Sequence, residues 1–154
     1  MMTLCCEVVK ALSGKTLATA ESCTGGGIGA AITAVPGSSS VFKGGIISYC
    51  NEIKHKLLGV DADALDRYGA VSAPVAEAMA IGARRVLDVD IAVSVTGLAG
   101  PGGDEFGNSV GTVFIGYSDS TRTFSRKLMF DGNRESVRNQ ATEAVLRLIL
   151  EENI

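Results

Sequence analysis

A chain of 154 residues, 46% hydrophobic and 20% charged, has the size of one compact domain and enough apolar surface to bury a core without staples. Its formal charge of -3, from 14 Lys plus Arg against 17 Asp plus Glu, offers no bulk attraction for a nucleic-acid backbone, so DNA and RNA are not expected partners. Glycine is in excess, with 19 residues or about 12% against roughly 7% in average usage.

The first helix is expected at the N-terminus, where Leu4, Val8 and Leu12 have helical spacing and Ser13-Gly14 supplies a stop. Thr16 to Ala20 reads as a short buried strand. A polar, glycine-rich turn, Glu21 to Gly27, leads into the small-residue helix Ile28 to Val35, which Pro36-Gly37 breaks. Gly45 to Cys50 reads as a second buried strand, followed by helices over Asn51 to Leu58, Asp61 to Tyr68 and Pro74 to Leu87. A strand is predicted over Asp90 to Thr96, then a glycine-dense loop, Gly97 to Ser109. Val110 to Tyr117 and Thr121 to Phe130 form an antiparallel hairpin, and Arg134 to Leu150 a closing amphipathic helix. Strands alternating with helices, plus one hairpin, imply a mixed sheet covered on both faces, with any ligand beyond the carboxyl ends of its strands. No linker or repeat divides the chain, so residues 1–154 are expected to form a single domain.

The four cysteines, Cys5, Cys6, Cys23 and Cys50, have no C-x-x-C spacing and there is one histidine, so no metal site is expected. Met1 to Glu7 lacks the basic start of a secretory signal, and no window approaches the ~20 apolar residues of a membrane span. The expectation is a cytoplasmic chain with reduced thiols and no membrane contact.

Several short patterns compete for chemistry. Gly25-x-Gly27-x-x-Ala30 formally satisfies a dinucleotide fingerprint, but Glu21 to Thr24 separates it from its strand and no acid lies near Gly44-Gly45. Ser40-Val41-Phe42-Lys43 matches an S-x-x-K pair in a loop context, and Gly14-Lys15-Thr16 echoes a phosphate loop that lacks its first glycine; both are set aside. Ser22 stands on the connection between a buried strand and a helix start, beside N–H groups suited to an oxyanion or a phosphate. The alternative there is a helix cap, with Ser22 or Thr24 accepting a bond worth about 1 kcal/mol. Nothing marks His55 as a base for Ser22, whereas Lys54, one turn into its helix, would serve if burial made its amine neutral. Cys23 is a second conceivable nucleophile. The loop Thr96 to Asp104 has the glycine density of an anion cradle, or of a plain crossover.

Leu17-Ala18-Thr19-Ala20-Glu21-Ser22-Cys23-Thr24-Gly25-Gly26, Val35-Pro36-Gly37-Ser38-Ser39, Tyr49-x-Asn51-x-x-Lys54-x-x-Leu57-Leu58-Gly59-Val60, Gly69-Ala70-Val71-Ser72 and Thr96-Gly97-x-Ala99-Gly100-Pro101 occur in this order over nearly the whole chain. Together they resemble the C-terminal domain family of the competence/damage-inducible protein CinA, which includes stand-alone nicotinamide mononucleotide deamidases. The resemblance implies a three-layer α/β/α sandwich on a mixed sheet. It also implies a metal-independent, cofactor-free amidohydrolase that converts nicotinamide mononucleotide to nicotinate mononucleotide and ammonia in pyridine nucleotide salvage. By position, the implied nucleophile is Ser22, the base Lys54, with Tyr49 beside them. Thr24, Gly25, Gly26, Asn51, Thr96 and Gly97 would bind substrate. Arg138, with Arg134 as neighbour, would serve its phosphate, and a homo-oligomer is expected. The pattern departs at Asn108-Ser109, where the family commonly has Lys-Pro, which leaves a weakly catalytic nucleotide-binding or regulatory module as the alternative.

Overall fold

The computed structural model describes all residues from Met1 to Ile154. Its elements are α1 (Met2–Ala11), β1 (Leu17–Glu21), α2 (Gly27–Thr33), a 3-10 turn at Ser38–Ser40, β2 (Phe42–Ile47), α3 (Asn51–Leu58), α4 (Ala62–Tyr68), α5 (Ala73–Leu87), β3 (Ile91–Gly97), β4 (Thr112–Ser118), β5 (Thr123–Met129) and α6 (Arg134–Glu152). The sheet runs β2-β1-β3-β4-β5. β1 is parallel to β2 and β3, while β3–β4 and β4–β5 are antiparallel. This is a mixed sheet in an α/β fold, as the order of elements in the sequence implies.

Side-chain alternation along the central strands separates two cores. Leu17, Ile91, Val93 and Val95 join Val8, Ile28, Val145 and Ile149 in a core under α1, α2 and α6. Ala18, Ala20 and Ala92 face the other way, toward Leu58, Leu65 and Met79 of α3, α4 and α5. The residues on that second face are small for a reason. The Ser94 hydroxyl donates to the Ala76 carbonyl at 2.5 Å, and a Cβ on Gly116 would collide with the same carbonyl, so α5 lies almost on the sheet. A Cβ on Gly82 would likewise collide with the Leu58 carbonyl, which seats the end of α3 against α5. Because α3 carries Lys54, that close approach fixes how deep the lysine reaches.

Helix starts follow local chemistry. Asp61 caps α4 by accepting from the Asp63 N–H, and Asn133 caps α6 by accepting from the Ser136 N–H. The second strand differs from expectation: it occupies Phe42–Ile47, not Gly45 to Cys50, and it is an edge strand whose residues alternate between half-buried and exposed. Its Gly44-Gly45 pair masks the strand signal, and Tyr49 and Cys50 have already turned away to start α3. The other boundaries agree to within one or two residues. No helix is long and apolar enough to cross a membrane.

Candidate active site

β1 delivers Ser22 to the carboxyl edge of the sheet. The Ser22 N–H donates to the Val95 carbonyl at 3.1 Å, carrying the ladder one residue past β1, and on the other side the Ser48 N–H donates to the Glu21 carbonyl at 2.8 Å. Ser22 is thus pinned between its neighbouring strands as the chain leaves the sheet. Lys54, in the first turn of α3, is 2% exposed, and its Nζ donates to Ser22 Oγ at 3.1 Å and to the Ser48 carbonyl at 2.9 Å. Burial pushes the Lys54 amine below the usual lysine range. A lowered value enlarges the neutral fraction near pH 7, the state in which a lysine can accept a proton. His55 is turned elsewhere, its Nδ1 lying 2.7 Å from the Val60 carbonyl. Burial pushes the Cys23 thiol up to about 11, so it stays protonated at neutral pH and is a poor rival to Ser22.

Ser22 and Lys54 open into a pocket of about 300 Å³, which Tyr49, Asn51, Thr96 and Gly97 also line. Six of the residues expected at the site therefore converge. Ala70 and Val71 at the turn into α5, Cys23, the segment from Leu98 to Gly100, and Gly102 complete the walls. The Thr96 hydroxyl donates to the Ala70 carbonyl at 2.9 Å, tying that turn to β3. At the mouth stands Arg134, whose guanidinium donates to the Tyr49 hydroxyl and to the Gly100 carbonyl, both at 2.7 Å. Tyr49 is 60% exposed and belongs to this rim rather than to the serine–lysine contact.

Four expected site residues lie elsewhere. Thr24, Gly25, Gly26 and Arg138 are not among the pocket's lining. The Glu21 carboxylate explains the first three: it accepts from the Thr24 hydroxyl at 2.6 Å and from the N–H groups of Gly26, Ile28 and Gly29 at 3.2, 2.9 and 3.0 Å. The start of α2 is therefore capped from within the chain, and its amides have no donors left for a phosphate. Gly25 and Gly26 have φ of 59° and 101°, a left-handed backbone that a side chain would strain, so the turn needs them for its shape. Arg138, expected to serve the substrate's phosphate, instead donates here to the Cys23 and Thr24 carbonyls at 3.0 and 3.2 Å. In the pocket the exposed cation is its neighbour, Arg134. Glu21 is the residue whose role the sequence analysis missed. It is the only acid between Glu7 and Glu52 and sits in an otherwise uncharged buried strand, a signal that was available.

The loop that departs from the family pattern is closed on itself. Asn108 Nδ2 donates to the Asp104 carboxylate at 2.8 Å and to the Val71 carbonyl at 3.1 Å, and the Phe106 ring lies against Gly69. The segment is thereby strapped to the turn before α5 and braces one wall of the pocket.

Three layers on a mixed five-stranded sheet, with a buried lysine on a serine at its carboxyl edge, define the class of this domain. The chain belongs to the CinA C-terminal domain family, whose family model matches residues 3–153. A CinA-like protein of Mycolicibacterium gilvum is 46% identical over 144 residues, which are 93% of this chain and 34% of that protein. A CinA-like protein of Parasynechococcus marenigrum is 58% identical over 106 residues, 69% of this chain and 25% of the relative. The chain thus spans about a quarter to a third of the length of these curated relatives. Among solved structures, the competence damage-inducible protein A of Klebsiella pneumoniae superposes with a TM-score of 0.96 at 34% identity, covering 98% of this chain and 95% of that one. The competence/damage inducible protein of Agrobacterium tumefaciens gives a TM-score of 0.95 at 33% identity, covering 99% and 95%.

Proposed function

We propose that this chain hydrolyses the carboxamide of nicotinamide mononucleotide to nicotinate mononucleotide and ammonia. The observation that carries this reading is the 3.1 Å contact between Ser22 Oγ and the Nζ of a lysine that is 2% exposed. An amide has a poor leaving group, so the catalyst must remove a proton from its nucleophile and later supply one to the departing nitrogen. A single neutral amine does both.

In the proposed sequence, neutral Lys54 takes the Ser22 hydroxyl proton as Oγ bonds to the carboxamide carbon. The carbonyl electron pair moves onto oxygen, and the N–H of Cys23, a residue lining the pocket beside Ser22, is accepted by no other residue and donates to that oxyanion. As the tetrahedral species collapses, the C–N bond breaks and protonated Lys54 gives its proton to nitrogen, releasing ammonia and leaving an ester on Ser22. Water then attacks the ester carbon with Lys54 again as base, the acyl–Oγ bond breaks as Lys54 returns that proton to Ser22 Oγ, and the acid product gives its own proton to solvent and leaves as a carboxylate. No step calls on a metal or cofactor. The substrate's phosphate fits Arg134, a guanidinium at the mouth able to exchange its Tyr49 and Gly100 contacts for phosphate oxygens. We place the activity in the cytoplasm, where four free cysteines stay reduced.

The test is ammonia release in the presence of a chelator from nicotinamide mononucleotide, nicotinamide, its riboside and the dinucleotide. The expected result is turnover of the mononucleotide that falls at least about a thousandfold in folded Ser22→Ala and Lys54→Ala proteins. A second reading, a nucleotide-binding module with weak catalysis, is favoured by Asn108: the position where the family commonly has lysine carries a neutral side chain spent on Asp104 and Val71. Tight binding of the mononucleotide with no product after long incubation would select it.

A further inference from the structure

A buried carboxylate is tolerated where protein donors replace its water. Glu21 is 2% exposed and has such donors, in the Thr24 hydroxyl and in three amides at the start of α2. Those amides are the ones a helix leaves unpaired at its N-terminus, so the positive end of α2 is filled by the chain's own negative charge. The opposite side of the same turn is held by a positive charge. Arg138, reaching over from α6, spans the carbonyls of Cys23 and Thr24 with Nε and Nη2, and a Cβ on Gly25 would stand 3.3 Å from that Nη2. The turn that follows Ser22 is therefore gripped through its donors by a carboxylate and through its carbonyls by a guanidinium. The donors left over are the Cys23 and Thr24 N–H groups.

We infer that Glu21 and Arg138 form a charged clamp that sets the Ser22 turn against Lys54 and reserves the amide of Cys23, which lines the pocket, for the reacting group. Neither residue lines the pocket, so both are positioning residues. The inference rests on Ser22 and Lys54 being the reacting pair, and it makes a claim that reading does not. Loosening the turn should cost the chemical step and leave ligand affinity nearly intact, because the walls of the pocket and Arg134 are untouched.

The test compares Glu21→Gln, Glu21→Ala, Thr24→Val and Arg138→Lys proteins in two assays. The first is kcat and KM for nicotinamide mononucleotide. The second needs no substrate: the rate at which phenylmethanesulfonyl fluoride modifies Ser22, read from the mass of the Ser22 peptide. The expected result is a kcat lowered by roughly tenfold to a hundredfold with KM changed by less than about threefold, and labelling slowed in parallel. Glu21→Gln, which keeps one acceptor oxygen, should lose less than Glu21→Ala. Thr24→Val, an isosteric change at the shortest clamp contact, covers the case in which the Glu21 variants do not fold. Folded variants with native kcat and native labelling would overturn the clamp. So would an Arg138→Lys protein with native kcat and a KM raised tenfold, since that marks a ligand contact. If the native protein releases no ammonia yet labels faster than its variants, the proposed reaction falls and the clamp stands. A native Ser22 that resists labelling overturns both.

Discussion

The two glycine-rich stretches of this chain lie on the same edge of the sheet and use glycine for different purposes. In the β1–α2 turn, Gly25 and Gly26 supply a left-handed backbone, and the amides and carbonyls around them are consumed by Glu21 and Arg138. In the β3–β4 loop, Gly97, Gly100 and Gly102 line the pocket, and a Cβ on Gly97 would collide with Val113 and the Thr112 carbonyl, so glycine there lets the end of β3 lie close against β4. A Cβ on Gly102 would meet nothing within 4 Å, so neither packing nor a positive φ requires glycine there. Glycine density marks a place where the chain needs freedom, and only the hydrogen bonds tell whether a ligand benefits.

The largest expected effect bears on what the closed turn presents. Removing Ser22 or Lys54 should abolish ammonia release while leaving folded protein, and either folded variant turning over at the native rate would end the assignment. Next comes the open side. Arg134→Ala should raise KM for the mononucleotide by about tenfold to a hundredfold with little change in kcat, the scale of a lost hydrogen bond to a charged group. An unchanged KM would move the phosphate elsewhere. Smaller again is the contrast between glycines: Gly26→Ala should destabilise the fold by about 1–2 kcal/mol through its left-handed φ, seen as a lower denaturation midpoint. Gly102→Ala should leave stability within about 0.5 kcal/mol. Equal losses at both positions would erase the distinction. The smallest effect is expected for Cys23→Ala, which should keep most of the native activity because the thiol is protonated at neutral pH and is no rival nucleophile.

Much of this was legible in the sequence because it depends on local pattern. The α3 boundaries follow from Asn51 and Gly59, and Lys54 is set by its place in the first turn of that helix. The edge position of β2 was not legible, because strand order is fixed by long-range pairing with β1, and a Gly44-Gly45 pair carries little strand signal. The role of Arg138 was also out of reach. Arg134 and Arg138 lie one helical turn apart on α6, and which of them meets the pocket depends on how that helix packs against α1 and α2, which no local spacing encodes. Glu21 is a different case: a lone acid in a buried strand demands buried donors, and the nearest are the amides of the helix that follows.

The most direct test of the serine–lysine account is ammonia release from nicotinamide mononucleotide measured against pH, with a chelator present, for the native and Lys54→Ala proteins. Burial lowers the Lys54 value in the folded state, so the neutral base accumulates as pH rises through a range below that of ordinary lysines. The account predicts activity that climbs along one limb with an apparent pKa below the usual lysine range, and no activity in Lys54→Ala at any pH. A flat profile, with Lys54→Ala as active as the native protein, would contradict it.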